Sequence, residues 1–150
     1  MKTIRRERGG APPCMGLTNL EALDEFVGHN RRNYERYRAH IGQLRGVRLL
    51  AYDESERNNF QYIVIEIGPE FPVARDRIVE VLHAENVLAR RYFWPGCHNM
   101  QPYRAYYPNA GLVLPNTIAV AERVVVLPTG SAIGATEIDG ICAVIAALAS

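Results

Sequence analysis

Lysine is nearly missing from this chain. Of its 17 basic residues one is Lys2, and the remaining sixteen (17 − 1) are arginine. From residue 3 onward no side-chain amine exists, which excludes chemistry that holds a carbonyl as a Schiff base on a well-placed lysine. Cysteine is scarce too: Cys14, Cys97 and Cys142 are widely spaced, odd in number and form no C-x-x-C pair. This excludes a disulfide framework and a closed structural zinc site, and it fits reduced thiols in a cytoplasm. No apolar run approaches the roughly 20 residues of a membrane-spanning helix. The opening MKTIRRERGGAPPC is basic but no apolar stretch follows it, so it is not read as a secretory signal. The phosphate-cradling patterns G-x-G-x-x-G and G-x-x-x-x-G-K do not occur.

What is present is the composition of an ordinary globular domain. An apolar share of 48% with 22% charged residues excludes disorder for the bulk of the chain, and 150 residues suffice for one core. A net charge of +1 argues against binding nucleic acid through an overall field.

Residues 1–16, with Gly9-Gly10 and Pro12-Pro13, read as a mobile tail. Thr18 to Glu21 then has the form of a capping box. Behind it Leu20, Leu23, Val27, Asn30, Tyr34, Tyr37, Ile41 and Leu44 alternate in steps of three and four. That spacing predicts one helix over 19–44, roughly 40 Å long, with Gly46 as its stop. Strands are predicted at 47–52 and 61–67, an antiparallel pair joined by the polar turn 53–59. A helix over 74–85 turns Ile78, Val79 and Leu82 inward and stops at Asn86. Residues 87–93 read as a third strand, 98–114 as irregular chain with a short helical piece, and Pro115 opens a helix to Arg123. A fourth strand at 124–127 and a helix from 135 to 149 complete the order. The fold class is α+β: a small, mostly antiparallel sheet of three to four strands packed with helices, behind a long N-terminal helix.

The densest chemistry lies in Arg90-Arg91-Tyr92-Phe93-Trp94-Pro95-Gly96-Cys97-His98, continuing to Tyr103. Guanidiniums suit phosphate and carboxylate, and aromatic faces suit sugars and bases. The same stretch equally fits a strand whose aromatics fill a core while Arg90 and Arg91 stay solvated. Cys97 beside His98 lacks an orienting acid, and His83 and His98 lack metal-ligand spacing, so neither thiol catalysis nor a metal site is expected. Arg31 to Arg38, with its two tyrosines, reads as a solvated helix face whose tyrosines join the buried stripe.

The runs MGLTNLEALDEF, NRRNYERYRAHIGQLRGVRLLAYDESERNNFQYIVIEI, VEVLHAENVLARRYFWPGCHNMQPY and LPNTIAVAERVVVLPTG carry a resemblance over residues 15–149. Together and in this order they resemble the C-terminal region of the DegT/StrS nucleotide-sugar aminotransferases, fold type I enzymes dependent on pyridoxal phosphate (PLP). The resemblance implies that residues 17–150 form the small domain that packs on a large cofactor domain. It implies that Arg91, Tyr92, Trp94, His98 and Tyr103 neighbour the sugar substrate. Family members often carry bulkier residues, such as Pro-Leu, at Gly96-Cys97, which sets this loop's shape apart. The resemblance places the PLP-holding lysine and its acid partner in the large domain, and residues before Met15 depart from the family pattern. No catalytic, cofactor-binding or metal-binding residue is therefore assigned here, and PLP is not expected to bind this chain stably by itself. Three readings follow: an enzyme fragment working with a separately encoded large domain, a non-catalytic nucleotide-sugar or protein-binding module, and a degenerate remnant. Apolar surface on the long helix would favour a second copy as partner; neither nucleic acid nor a membrane is expected.

Overall fold

The computed structural model describes residues 20–149. The tail over 1–16, Cys14, Lys2 and the Thr18 side of the capping box lie outside the described residues. Helix α1 spans Leu23–Ile41 and buries Asn33, Tyr34, Tyr37 and Ile41. Asp24 and Glu25 sit in its first turn, and Arg38 and His40 in its last, each sign complementing the helix dipole. The C-terminal half of the expected stripe is core. The N-terminal half is not: Leu20 and Leu23 are exposed, as is Phe26 beside them, which is the apolar surface expected on this helix. The helix ends at Gly42, whose N–H reaches Arg38 O at 3.1 Å, short of the expected residue 44.

Gly46 turns the chain into β1, Val47–Leu49. Its φ of +80°, and the 2.6 Å that would separate a Cβ from Phe71 N, leave room for glycine alone. Strand β1 pairs antiparallel with β2, Ile63–Ile67, in the register Val47↔Ile67 and Leu49↔Ile65. Ile63, Ile65 and Ile67 are buried in alternation, the period of a sheet with one face on the core. Both strands are shorter than expected, since Phe60, at φ 51°, bends the chain just before β2. In the turn between them Asp53 accepts from the N–H and hydroxyl of Ser55 at 2.9 and 2.6 Å, which lowers its carboxyl below the ordinary value.

Helix α2, Arg75–Ala84, buries Arg75, Ile78, Val79 and Leu82, and Asn86 stops it at φ 59°. Strand β3 is only Arg90–Arg91, where residues 87–93 were expected. The N–H groups of Val87 and Ala89 donate to Leu82 O and Val87 O at 2.8 Å each, so they are spent locally rather than on a ladder. Past β3, Phe93 takes φ 46° and turns the chain away. A 3-10 turn at Cys97–Asn99 and three short helices follow: α3 at Tyr103–Tyr106, α4 at Ala110–Val113 and α5 at Pro115–Ala121. Strand β4, Val124–Leu127, then inserts between β2 and β3, giving the antiparallel order β1-β2-β4-β3 among the described residues. Helix α6, Ala135–Ala147, packs on α1 and α2.

One face of the sheet carries the core. Ile63, Ile65, Ile67, Val125 and Leu127 pack with Tyr37, Ile41, Ile78, Leu82, Ile138, Ile141 and Ile145. Burial of this kind contributes about 25 cal/mol per Å² of apolar surface. Polar ties fix the helices. Asn33, itself buried, donates to Ile133 O at 3.2 Å, and Arg36 Nε donates to Asp139 at 2.7 Å. The Arg36 guanidinium holds the Asp139 carboxyl below its ordinary value.

Candidate functional site

The pleat decides where the chemistry-bearing segment points. Arg91 pairs with Val125, whose side chain enters the core, so Arg91 leaves the sheet edge on the helix side. Its Nε meets Asp76 Oδ1 at the start of α2, 3.0 Å away. Tyr92, the next residue, goes to the other face and meets Tyr62 edge-on at 6.0 Å between centroids. Phe93 meets Tyr92 edge-on at 4.5 Å between centroids and is otherwise exposed.

Two concavities result. On the open face Tyr92, Phe93, Gly96, Cys97 and His98 oppose Leu114, Thr117, Val120, Ala121 and Val124 around about 560 Å³. On the helix side Arg91 and Trp94 line a second one of about 570 Å³ with Val79, Glu80, His83, Leu88, Ala89 and Arg90. The five expected site residues are thus divided. Tyr92 and His98 share one wall, Arg91 and Trp94 share another, and Tyr103 stands exposed at the first residue of α3, lining neither. A smaller cleft of about 220 Å³ beside Tyr34, Tyr52 and Phe60 takes no residue from this segment.

His98 is placed by the glycine two residues before it. Gly96 has φ 89°, and a Cβ there would lie 2.7 Å from His98 Cε1, so the imidazole folds over a position that only glycine leaves open. The Asn99 amide nitrogen lies 3.0 Å from His98 Nε2 and also donates to Pro95 O at 3.1 Å. Cys97 is exposed. Among the described residues no carboxylate bonds this imidazole and no His, Cys, Asp or Glu cluster could hold a metal ion.

Two residues not expected from the sequence belong to the site. Arg75 is buried, and its guanidinium carbon lies 4.8 Å from the centroid of the Trp94 ring. Its Nη1 donates to Ala121 O at 3.0 Å and Val124 O at 3.3 Å. Its Nε is 2.7 Å from Asp76 Oδ1, but the carboxylate lies out of line with the N–H, which finds no aligned acceptor. Burial lowers the Arg75 pKa, Asp76 opposes that shift, and Arg91 adds to it. Asp76 therefore bridges Arg75 and Arg91 and ties β3 to α2. A signal existed: Arg75 falls three residues before Ile78, four before Val79 and seven before Leu82, on the inward face of α2.

Comparison with known proteins gives a consistent set of relatives. The model of the DegT/DnrJ/EryC1/StrS aminotransferase family matches residues 13–146. A dTDP-4-amino-4,6-dideoxy-D-glucose transaminase of Shigella dysenteriae is 31% identical over 118 residues, 77% of this chain and 31% of that protein. The Escherichia coli protein of the same name is 28% identical over 115 residues. Among solved structures, DesI, determined in the presence of its TDP-sugar product, superposes with a TM-score of 0.81 at 43% identity. The match covers 90% of this chain and 34% of DesI. DesV of S. venezuelae, in complex with a ketimine intermediate, shares the fold with a TM-score of 0.80 at 17% identity, over 99% of this chain and 40% of DesV. The chain spans about a third of the length of the curated relatives it matches.

Proposed function

We propose that this chain, which belongs to the DegT/DnrJ/EryC1/StrS aminotransferase family, supplies one wall of the sugar-nucleotide cleft of a sugar aminotransferase. The observation that carries this reading is the division made by the pleat. One step along the chain sends Arg91 and Tyr92 to different faces, where Trp94 lines the same concavity as Arg91 and His98 the same concavity as Tyr92. Aromatic faces suit the apolar faces of a sugar ring, while a phenol and an imidazole suit its hydroxyls. Asp76 engages only Nε of Arg91, which is left half exposed for a diphosphate. Tyr103, at the start of α3, would close over the ligand.

The family is PLP-dependent, and PLP supplies an electron sink for the carbon that carries the transferred nitrogen. The described residues do not fit PLP as a covalently held group, because no lysine occurs among them and Lys2 lies outside. In this reading residues 20–149 bind and orient the sugar nucleotide, the large domain of the family brings PLP, and these residues turn over no substrate by themselves.

Titration with a dTDP-linked sugar, read through the emission of Trp94, tests the proposal. A saturable change that His98→Ala and Tyr92→Ala weaken is expected. The absence of any change at millimolar ligand, with no activity gained on mixing with a PLP-bearing aminotransferase domain, would overturn it. Ligand binding without any such gain would instead make the chain a non-catalytic nucleotide-sugar module.

A further inference from the structure

We infer that Arg75 is a positioning residue for Trp94, a buried guanidinium on which the indole rests so that its remaining surface meets the cleft. Arg75 is mismatched to its surroundings. Position 75 belongs to the face of α2 that also carries Ile78, Val79 and Leu82, where an aliphatic side chain would complete the stripe. A buried guanidinium is destabilising unless its donors find partners and its charge a counterion. Arg75 meets most of that demand with groups from three segments, its Nε alone lacking an aligned acceptor. Nη1 donates to the carbonyls of Ala121 and Val124, where α5 passes into β4, and Asp76 supplies the negative charge. The guanidinium carbon lies over the ring of Trp94, 4.8 Å from its centroid.

Only a planar guanidinium donates within its plane while stacking above it, so lysine cannot reproduce this set of contacts. Among the described residues no hydrogen bond holds the indole N–H, and the placement of the ring therefore rests on its stacked face. Trp94 remains 39% exposed and lines the helix-side concavity with Arg91. Arg75 thus fixes an aromatic face that it does not itself offer to ligand. Its effect on ligand binding rests on the function proposed above, but its hold on the indole does not.

Trp94 is the sole tryptophan in the chain, so tryptophan emission reports on this ring alone. Time-resolved fluorescence anisotropy of the full chain, unaltered and with Arg75→Met or Arg75→Lys, is the test. The unaltered chain should depolarise only with overall tumbling. The Met variant, which keeps length and completes the apolar stripe, should gain a sub-nanosecond component of about half the amplitude. The Lys variant should fall between them, with far-UV circular dichroism unchanged. Identical decays in all three chains would overturn the inference, as would fast motion dominating the unaltered chain. If the Met variant does not fold, the Lys variant decides by the same comparison. If neither variant folds, the unaltered chain decides: slow decay alone supports the inference and dominant fast motion overturns it.

A dTDP-sugar titration separates the two proposals. Weakening of about ten-fold in Arg75→Met with partial rescue in Arg75→Lys supports both. If the unaltered chain binds no sugar nucleotide while Trp94 mobility still follows residue 75, the proposed function fails and the positioning role stands. Equal affinity and equal mobility in chains that do bind ligand remove the positioning role and leave the function intact.

Discussion

The two halves of this molecule obey different rules. In the sheet with α1, α2 and α6, Ile63, Ile65, Ile78, Leu82, Leu127, Ile138 and Ile145 are fully enclosed. From Cys97 to Arg123 no residue is buried, although the segment forms a 3-10 turn and three helices. Its exposed side chains include Tyr103, Tyr106, Tyr107, Leu112, Val113 and Val120. Helices of four to seven residues are too short to stand by propensity alone, and these exposed apolar side chains lack a core of their own. The first region satisfies its own hydrophobic demand; the second leaves that demand open to another surface.

Substitutions can break this contrast or sharpen it. The largest effect is expected from Ile65→Ala in the central strand, which should lower the unfolding free energy in urea by about 3 kcal/mol through lost transfer energy and a residual cavity. Gly46→Ala should cost about 2 kcal/mol in the same measurement, because a methyl group must enter a left-handed turn against the Phe71 backbone. A stability–pH profile comes next. Burial pushes the Cys142 thiol up to about 11 from its ordinary 9.0. Over that window the unfolded chain has released the proton and the folded chain still holds it. Stability contributed by the neutral thiol should therefore be intact below pH 9.0, decline towards 11, and lose that part of its alkaline slope in Cys142→Ala. Gly96→Ala should cost about 1 kcal/mol and, more tellingly, move the imidazole resonances of His98. Leu112→Ala, at a side chain 82% exposed, should stay within about 0.5 kcal/mol of the unaltered chain. A loss comparable to that of Ile65→Ala at this position would erase the distinction between the halves.

The self-contained half was largely legible in the sequence. Alternation at Ile63, Ile65 and Ile67, the Ile78 to Leu82 spacing and the 124–127 strand are local patterns with one packing solution. The exposed apolar start of α1 was legible as well, since a stripe longer than a small core can cover leaves part of itself bare. Leu20 and Leu23 share the stripe of Tyr37 and meet no core. The third strand was overdrawn because two facts end it that composition does not record: amides committed to Leu82 and Val87, and a left-handed Phe93. The candidate site was visible as a density of Arg and aromatic residues between 90 and 103. Its division into two walls was not, since that depends on the register of Arg91 with Val125. The inward position of Arg75 could be read from its spacing to Ile78 and Leu82, but its partners, mostly backbone carbonyls 46 and 49 residues away, are announced by no local pattern.

Strand order has a consequence for how such a domain can diversify. Arg91 and Val125 are direct partners in neighbouring strands, so the chain departs from the sheet and rejoins it at a single rung. Everything between them is a detour stitched at both ends to one seam. Such a detour can lengthen, shorten or be exchanged for another with little change in closure entropy and no shift of register in the strands beneath. The sheet acts as a socket, and the surface it presents can change by swapping what is plugged into it.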